Sequence, residues 1–249
     1  MTALATEISV ETPNKLQAFL ERSGLFKNIA PETVGLFVQQ ASIRSFSKGQ
    51  MIFAQGGEAS SFYLVMHGWV KLFRETLDGE EAVIDVLTTN HLFGETALFE
   101  EDTYNLHAEV VEEVDVICLP LSLLKNTITK DAQLAMNMLG AMSRFRKQQD
   151  MELEHRTVQN APQRIGCFLL RLCKPDAVTP IRLNLPYDKT LLASRLGMKP
   201  ETFSRALARL RDETGIRIKG ATVEIDTIKQ LSSYSCSACS SAYPCTDLH

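Results

Sequence analysis

Glu201, Ser204 and Arg205 fall in one short run, Lys199-Pro-Glu-Thr-Phe-Ser-Arg205, and together offer a carboxylate, a hydroxyl and a guanidinium. These are the groups that the edges of a DNA major groove ask for. A guanidinium can bond guanine O6 and N7 at once, a carboxylate can accept from cytosine N4, and a hydroxyl can serve base or phosphate. Lys199, Thr202 and Arg209 complete the candidate DNA-binding set. A second chemical set is Cys236, Cys239 and Cys245. Their C-x2-C-x5-C spacing puts three thiolates on a short segment, enough for three corners of an iron-sulfur cluster.

The first set needs a scaffold, and its surroundings supply one. Residues 190–196 read as a helix with Ala193 where a crossing helix needs a small side chain, and Gly197 provides the left-handed backbone that ends it. Pro200 sits at the first position of a second helix, where its missing N–H is no loss. Phe203, Leu207 and Leu210 then form an apolar stripe, which leaves Glu201, Arg205, Ala208 and Asp212 on the opposite face. Residues 216–225 read as two short strands around Gly220, a wing beside the helices. The expectation is a winged helix-turn-helix with duplex DNA as its partner. Charge agrees: residues 189–219 hold eight Lys or Arg against three acids, although the chain as a whole is formally −4. Residues 75–124 hold thirteen Asp or Glu and no Lys or Arg, so this stretch will not seek phosphate.

At 249 residues and 45% hydrophobic content, the chain can fill two compact domains. No apolar run approaches the length of a membrane span, and the N-terminus has neither a basic start nor an apolar signal core. A cytoplasmic protein without a membrane partner is expected. Its six cysteines then read as thiols or metal ligands more than as a disulfide framework. The first dozen residues read as loose, and residues 14–23 and 31–40 as short helices. From 43 to 119, short alternating segments are cut by Lys48-Gly49, Gln55-Gly56-Gly57, His67-Gly68, Asp78-Gly79 and Gly94, the pattern of a barrel or jelly roll. Residues 122–130 read as a short helix leading into a long one over 132–158. The long helix carries an incomplete apolar seam of Leu134, Met138, Met142, Phe145 and Leu153, which points to dimerisation. Residues 161–172 read as a further helix before Pro175 and Pro180 break the chain; Cys167 and Cys173 on it read as small core residues. No Ser/His/Asp order, phosphate-cradling glycine loop or His-Glu-x-x-His motif is present, so the residues offer no enzyme chemistry.

This order of parts, with Phe62-Tyr-Leu-Val-Met-His-Gly68-Trp-Val-Lys-Leu-Phe73, Phe93-Gly-Glu-Thr-Ala-Leu-Phe99 and Pro200-Glu-Thr-Phe-Ser-Arg205, resembles the CRP/FNR family of bacterial transcription regulators over nearly the whole chain. The resemblance implies an α+β fold: a cyclic-nucleotide-binding-like β-roll (a jelly roll) over 14–130, a dimerisation helix over 131–158, a winged helix-turn-helix over 159–231 and a Cys-rich tail over 232–249. It further implies a homodimer, an inverted-repeat operator and contact with RNA polymerase, as in activators. Glu201, Ser204 and Arg205 fall on the E-x-x-S-R pattern of the FNR-like branch, which implies TTGAT-type half-sites. The string Pro-Glu-Thr-Phe-Ser-Arg is similar to that of Dnr-type regulators of nitrogen-oxide respiration.

The same resemblance bears on the signal. Cyclic-nucleotide-binding members hold the phosphate with an arginine and a serine, and this chain has Asn105 and Leu106 there. Without the guanidinium the charge-assisted contact is lost, so cyclic AMP is not the expected ligand. Redox or gas sensing (O2 or NO) through a 4Fe-4S cluster on Cys236, Cys239 and Cys245 is the first expectation. FNR-type sensors carry their cysteines at the N-terminus. The fourth ligand stays open between Cys118, an Asp or Glu of the roll, Asp247 and His249; alignment on Pro120 puts Ile117, not Cys118, at the position where FNR has its strand cysteine. The Dnr resemblance implies the alternative, a haem-based NO sensor with His107 as ligand. A cofactor-free regulator is the third possibility.

Overall fold

The computed structural model describes residues 6–7, 13–173, 178–185 and 189–240 of the chain. The chain divides after Ala141 into two compact units, each with its own apolar core. The expectations for Pro175, Cys245, Asp247 and His249 lie outside the described residues.

The first unit is a roll of antiparallel strands flanked by short helices. Strand β1 (Thr6–Glu7) pairs with β2 (Ser42–Phe46), so part of the stretch read as loose joins the sheet. Helices α1 (Pro13–Arg22) and α2 (Pro31–Gln40) lie between them in sequence, the second opened by Pro31 as its first residue. Strands β3 (Met51–Phe53), β4 (Ser61–Glu75), β5 (Glu81–Leu87), β6 (Leu92–Phe93) and β7 (His107–Pro120) complete the sheet. Its order is β1-β2-β7-β4-β5, with β3 on β7 and β6 on β4.

His67-Gly68 does not end a strand, as the sequence reading expected. β4 runs through it, paired to β7 from Ser61↔Pro120 to Phe73↔His107, with register shifts on either side of His67 and after Trp69. Gly68 adopts φ +90°, and a Cβ there would run into the carbonyl of Glu113 across the pair. The glycine therefore makes a bulge that bends one long strand. Phe62, Leu64, Val65, Ile117 and Leu119 fill the core, closed by Leu20 and Phe37 of the helices and by Leu124 of α3 (Leu121–Ile128).

Helix α4 (Ala132–Val158) has the span expected from sequence. Its seam needs revision. Leu134 and Met138 are buried in the roll's own core, whereas Met136, Leu139, Met142, Phe145 and Leu153 are exposed.

The second unit is built on α5 (Ala161–Leu172), which a reciprocal cap starts: Asn160 Oδ1 accepts from the Gln163 N–H and Gln163 Oε1 accepts from the Asn160 N–H, both at 3.0 Å. Then follow β8 (Ile181–Asn184), α6 (Lys189–Arg195), α7 (Pro200–Thr214), β9 (Arg217–Lys219), β10 (Thr222–Ile225) and α8 (Ile228–Ser235). β8, which no sequence signal announces, pairs with β10 to make a sheet of order β8-β10-β9. Residue 232, where the Cys-rich tail is expected to begin, lies inside α8; the helix continues to the fully buried Ser235 and a tight turn over Cys236–Ala238. Ile165, Leu169, Leu192, Phe203, Leu210, Val223 and Leu231 form the core.

Candidate nucleic-acid interface

Helices α6 and α7 meet at a turn closed by two backbone hydrogen bonds. The Gly197 N–H donates to Ser194 O and the Met198 N–H to Ala193 O, each at 2.9 Å, with Gly197 at φ +62°. Ala193 is fully buried at the crossing. α7 starts from Lys199 in extended backbone, with Pro200 at its first position and no side chain capping its start. Its positive end therefore faces outward for an anion. Phe203, Ala206, Leu207 and Leu210 are buried against the core, which fixes the helix's rotation. Lys199, Glu201, Ser204 and Arg205 are exposed in consequence, and Thr202 is half-buried on the flank.

The cations differ in how they are held. Arg205 makes no ion pair among the described residues, so its fork is available. Arg209 bonds Glu213 one turn on, Nε to Oε1 at 2.6 Å. In the wing, both terminal nitrogens of Arg217 bond Asp226 at 2.7 Å, and its Nε bonds Glu224 at 3.2 Å. Lys219 is exposed at the end of β9.

Glu152, late in α4, is a node that no sequence motif marks. Its Oε2 accepts from Arg195 Nη1 and its Oε1 from Arg171 Nη1, both at 2.9 Å, with Arg195 Nη2 at 2.5 Å from Oε1. Burial works to raise this carboxyl, but the bonds and charge of Arg195, then Arg171, overcome it and hold it at about 2. One carboxylate thus ties α4 to α5 and to the first helix of the helix-turn-helix.

In the roll, the segment that departs from the phosphate-binding pattern sends an aromatic ring inward. Tyr104 stacks on Phe53 with centroids 3.8 Å apart and donates its hydroxyl to Ser61 O at 2.6 Å. Tyr63 and Phe93 extend the cluster. Asn105 and Leu106 are half-buried beside it. The Glu95 carboxyl is buried with Oε2 unpartnered, and burial pushes it up towards the neutral form.

Two family matches divide the chain as the two cores do. The Cyclic nucleotide-binding domain family matches residues 43–131 and the Crp-like helix-turn-helix domain family residues 163–234. The Cyclic AMP receptor protein of Thermus thermophilus is 31% identical over 206 residues, covering 83% of this chain and 94% of that protein. This chain belongs to the CRP/FNR family. A solved protein of Ruegeria pomeroyi is 34% identical with a TM-score of 0.69, covering 89% of this chain and 97% of its own. DNR from Pseudomonas aeruginosa is 27% identical with a TM-score of 0.52, over 90% of this chain and 100% of that one. The CRP/FNR regulator described here is accordingly a DNA-binding transcription regulator and not an enzyme.

Its expected sensing residues are placed unevenly. Cys118, on β7 opposite Ser42 and Tyr63, is buried, and burial pushes its thiol up to about 11 despite Arg44 and a bond to Ser42. A coordinating metal would have to displace this proton, so Cys118 stays an open candidate as fourth ligand. His107 stacks on Phe73, and its Nδ1 lies 3.3 Å from the Gln55 N–H, which donates to it. His107 is half-buried, with its Nδ1 engaged by this backbone contact. Cys236 is half-buried against the second core, and Cys239 Sγ lies 3.5 Å from His155 Nε2. Cys167 Sγ lies 3.7 Å from Nδ1 of the same ring. No group of three His, Cys, Asp or Glu with metal-holding geometry occurs among the described residues. Cys167 and Cys173 are buried as expected. His155, which has no paired-ligand spacing in sequence, is buried between two thiols because the turn after α8 returns to α4.

Among the described residues no helix is long and apolar enough to cross a membrane.

Proposed function

We propose that this CRP/FNR regulator binds, as a homodimer, an inverted repeat of TTGAT-type half-sites in response to a redox or gas signal (O2 or NO). The observation that carries the reading is the exposed Glu201, Ser204 and Arg205 on a helix locked by its buried opposite face, with Arg205 free of ion pairs among the described residues. Arg205 reads guanine, Glu201 accepts from cytosine, and Ser204, Thr202, Lys199 and Arg209 serve base edges and phosphates. The exposed residues Leu139, Met142, Phe145 and Leu153 on one side of α4 suit self-association about a two-fold axis, which sets the half-sites about one helical turn apart. A contact with RNA polymerase, a cytoplasmic location and a division into roll, helix, reading head and tail complete the reading.

For the signal, the tail thiols support a redox input. Cys236 and Cys239 stand half-exposed on either side of a tight turn, and with Cys245 they would hold three corners of a 4Fe-4S cluster. When bound, such a cluster supplies one-electron and oxygen chemistry. The protein's own part is to hold the turn against α4, through Cys239 beside His155 and Ser240, whose N–H and Oγ both donate to Glu154 at 2.9 Å. The Asn105 and Leu106 replacements and the inward Tyr104 argue against cyclic AMP in the roll. Anisotropy titration of wild-type protein against an inverted TTGAT repeat and a scrambled repeat tests the function. The reading expects the intact repeat to bind roughly 10³-fold tighter or better at fixed salt; equal affinities would contradict it.

A further inference from the structure

The second unit has a pocket whose wall is dominated by guanidiniums. Arg156, Arg164, Arg171 and Arg195 line it against the single carboxylate of Glu152, and Leu196, just before the helix-turn-helix turn, closes one side. Glu152 is engaged by Arg171 and Arg195. Arg156 and Arg164 have no ion pair among the described residues.

Arg164 is the unusual member. Its Nε is buried and has no hydrogen-bond partner, although a buried donor without one is costly. Arg156 stands close enough that its charge adds to burial in lowering the Arg164 pKa. The Arg156 guanidinium in turn lies beside Gly197, its Nε 3.7 Å from where a Cβ on that residue would sit. Two like charges thus converge on one pocket next to the turn that starts the reading helix. An oxyanion would give both forks their acceptors, relieve the repulsion and satisfy the buried Nε.

We propose that Arg156 and Arg164 form a phosphate-binding site at the base of the reading head, distinct from the groove-reading face of α7. Its occupant is a phosphate group, supplied by a small phosphorylated effector or by the DNA backbone flanking the base-read site. The site does not depend on operator sequence or on the tail thiols. Bound phosphate would brace α4 and α5 against the helix-turn-helix turn, in parallel with Glu152.

The test uses the full chain, wild type beside Arg156→Gln and Arg164→Gln. Calorimetric titration of inorganic phosphate at constant ionic strength reads the free ligand. The salt dependence of binding to a duplex of arbitrary sequence reads the backbone. Saturable phosphate binding, weakened at least fivefold in each variant, assigns the site to a free phosphate group. A log–log salt slope shallower by about one per protomer in the variants, without phosphate heat, assigns it to DNA. Variants indistinguishable from wild type in both readouts overturn the proposal. Arg156 is exposed, so Arg156→Gln keeps the test decisive if Arg164→Gln does not fold.

Discussion

At the residue scale, the reading face combines two kinds of cation. Arg205 is without an ion pair among the described residues, whereas Arg209 must leave Glu213 to reach a phosphate. The two therefore differ in what they confer. Arg209→Ala is expected to weaken all duplexes alike and to make the salt slope shallower by about one, without changing preference between operators. Salt titrations on matched and scrambled duplexes measure this. The tail thiols differ in the same way from the buried ones: burial pushes Cys118 and Cys173 each up to about 11, while Cys236 and Cys239 are half-exposed. Anaerobically purified protein is expected to show broad absorption near the blue with iron and acid-labile sulfide, both lost in Cys236→Ala. A sharp Soret band that survives the substitution would instead place the sensor in the roll.

At the element scale, Glu152 fastens α4 to α5 and α6. The folded Glu152 carboxyl titrates at about 2, below the ordinary value of 4.5. Its contribution to stability is therefore complete above pH 4.5 and is lost as pH falls towards 2. Glu152→Gln should lower stability by about 2 kcal/mol at neutral pH, with the difference from wild type closing below pH 4, as read by denaturant unfolding across pH. None of this was visible in sequence, because Arg171 and Arg195 come from two other helices and ion-pair partners leave no periodic trace. What was legible carried local signals. The spans 31–40, 132–158 and 161–172 coincide with helices because Pro31, the Asn160–Gln163 pair and a long run rich in helix formers, interrupted only weakly at Gly140, mark them. β8 was missed because four residues carry little periodicity and its partner β10 lies far along the chain. The bulge at Gly68 was read as a turn, since a glycine in a strand sequence looks the same in both. His155 shows no paired-ligand spacing in sequence because its thiol neighbours come from α5 and from beyond α8.

At the scale of the whole molecule, two compact units share one long helix, and that helix exposes more apolar surface than a helix facing only solvent should. Leu134 and Met138 belong to the roll, which leaves Leu139, Met142, Phe145 and Leu153 as the proposed dimerisation surface. Replacing Leu139 and Leu153 with Glu should shift the protein to monomer in sedimentation, leave its far-ultraviolet dichroism intact, and cut affinity for the inverted repeat at least tenfold. An unchanged sedimentation coefficient would move the interface elsewhere.

The proposed reading of bases by α7 through Arg205 is open to one decisive measurement. The most direct test crosses Arg205→Ala with substitution of the half-site guanine and measures all four affinities by anisotropy at fixed salt. Each change alone is expected to cost about 1–3 kcal/mol, and the second to add little once the first is made. Fully additive losses, or an Arg205→Ala protein that still discriminates the guanine as well as wild type, would contradict it.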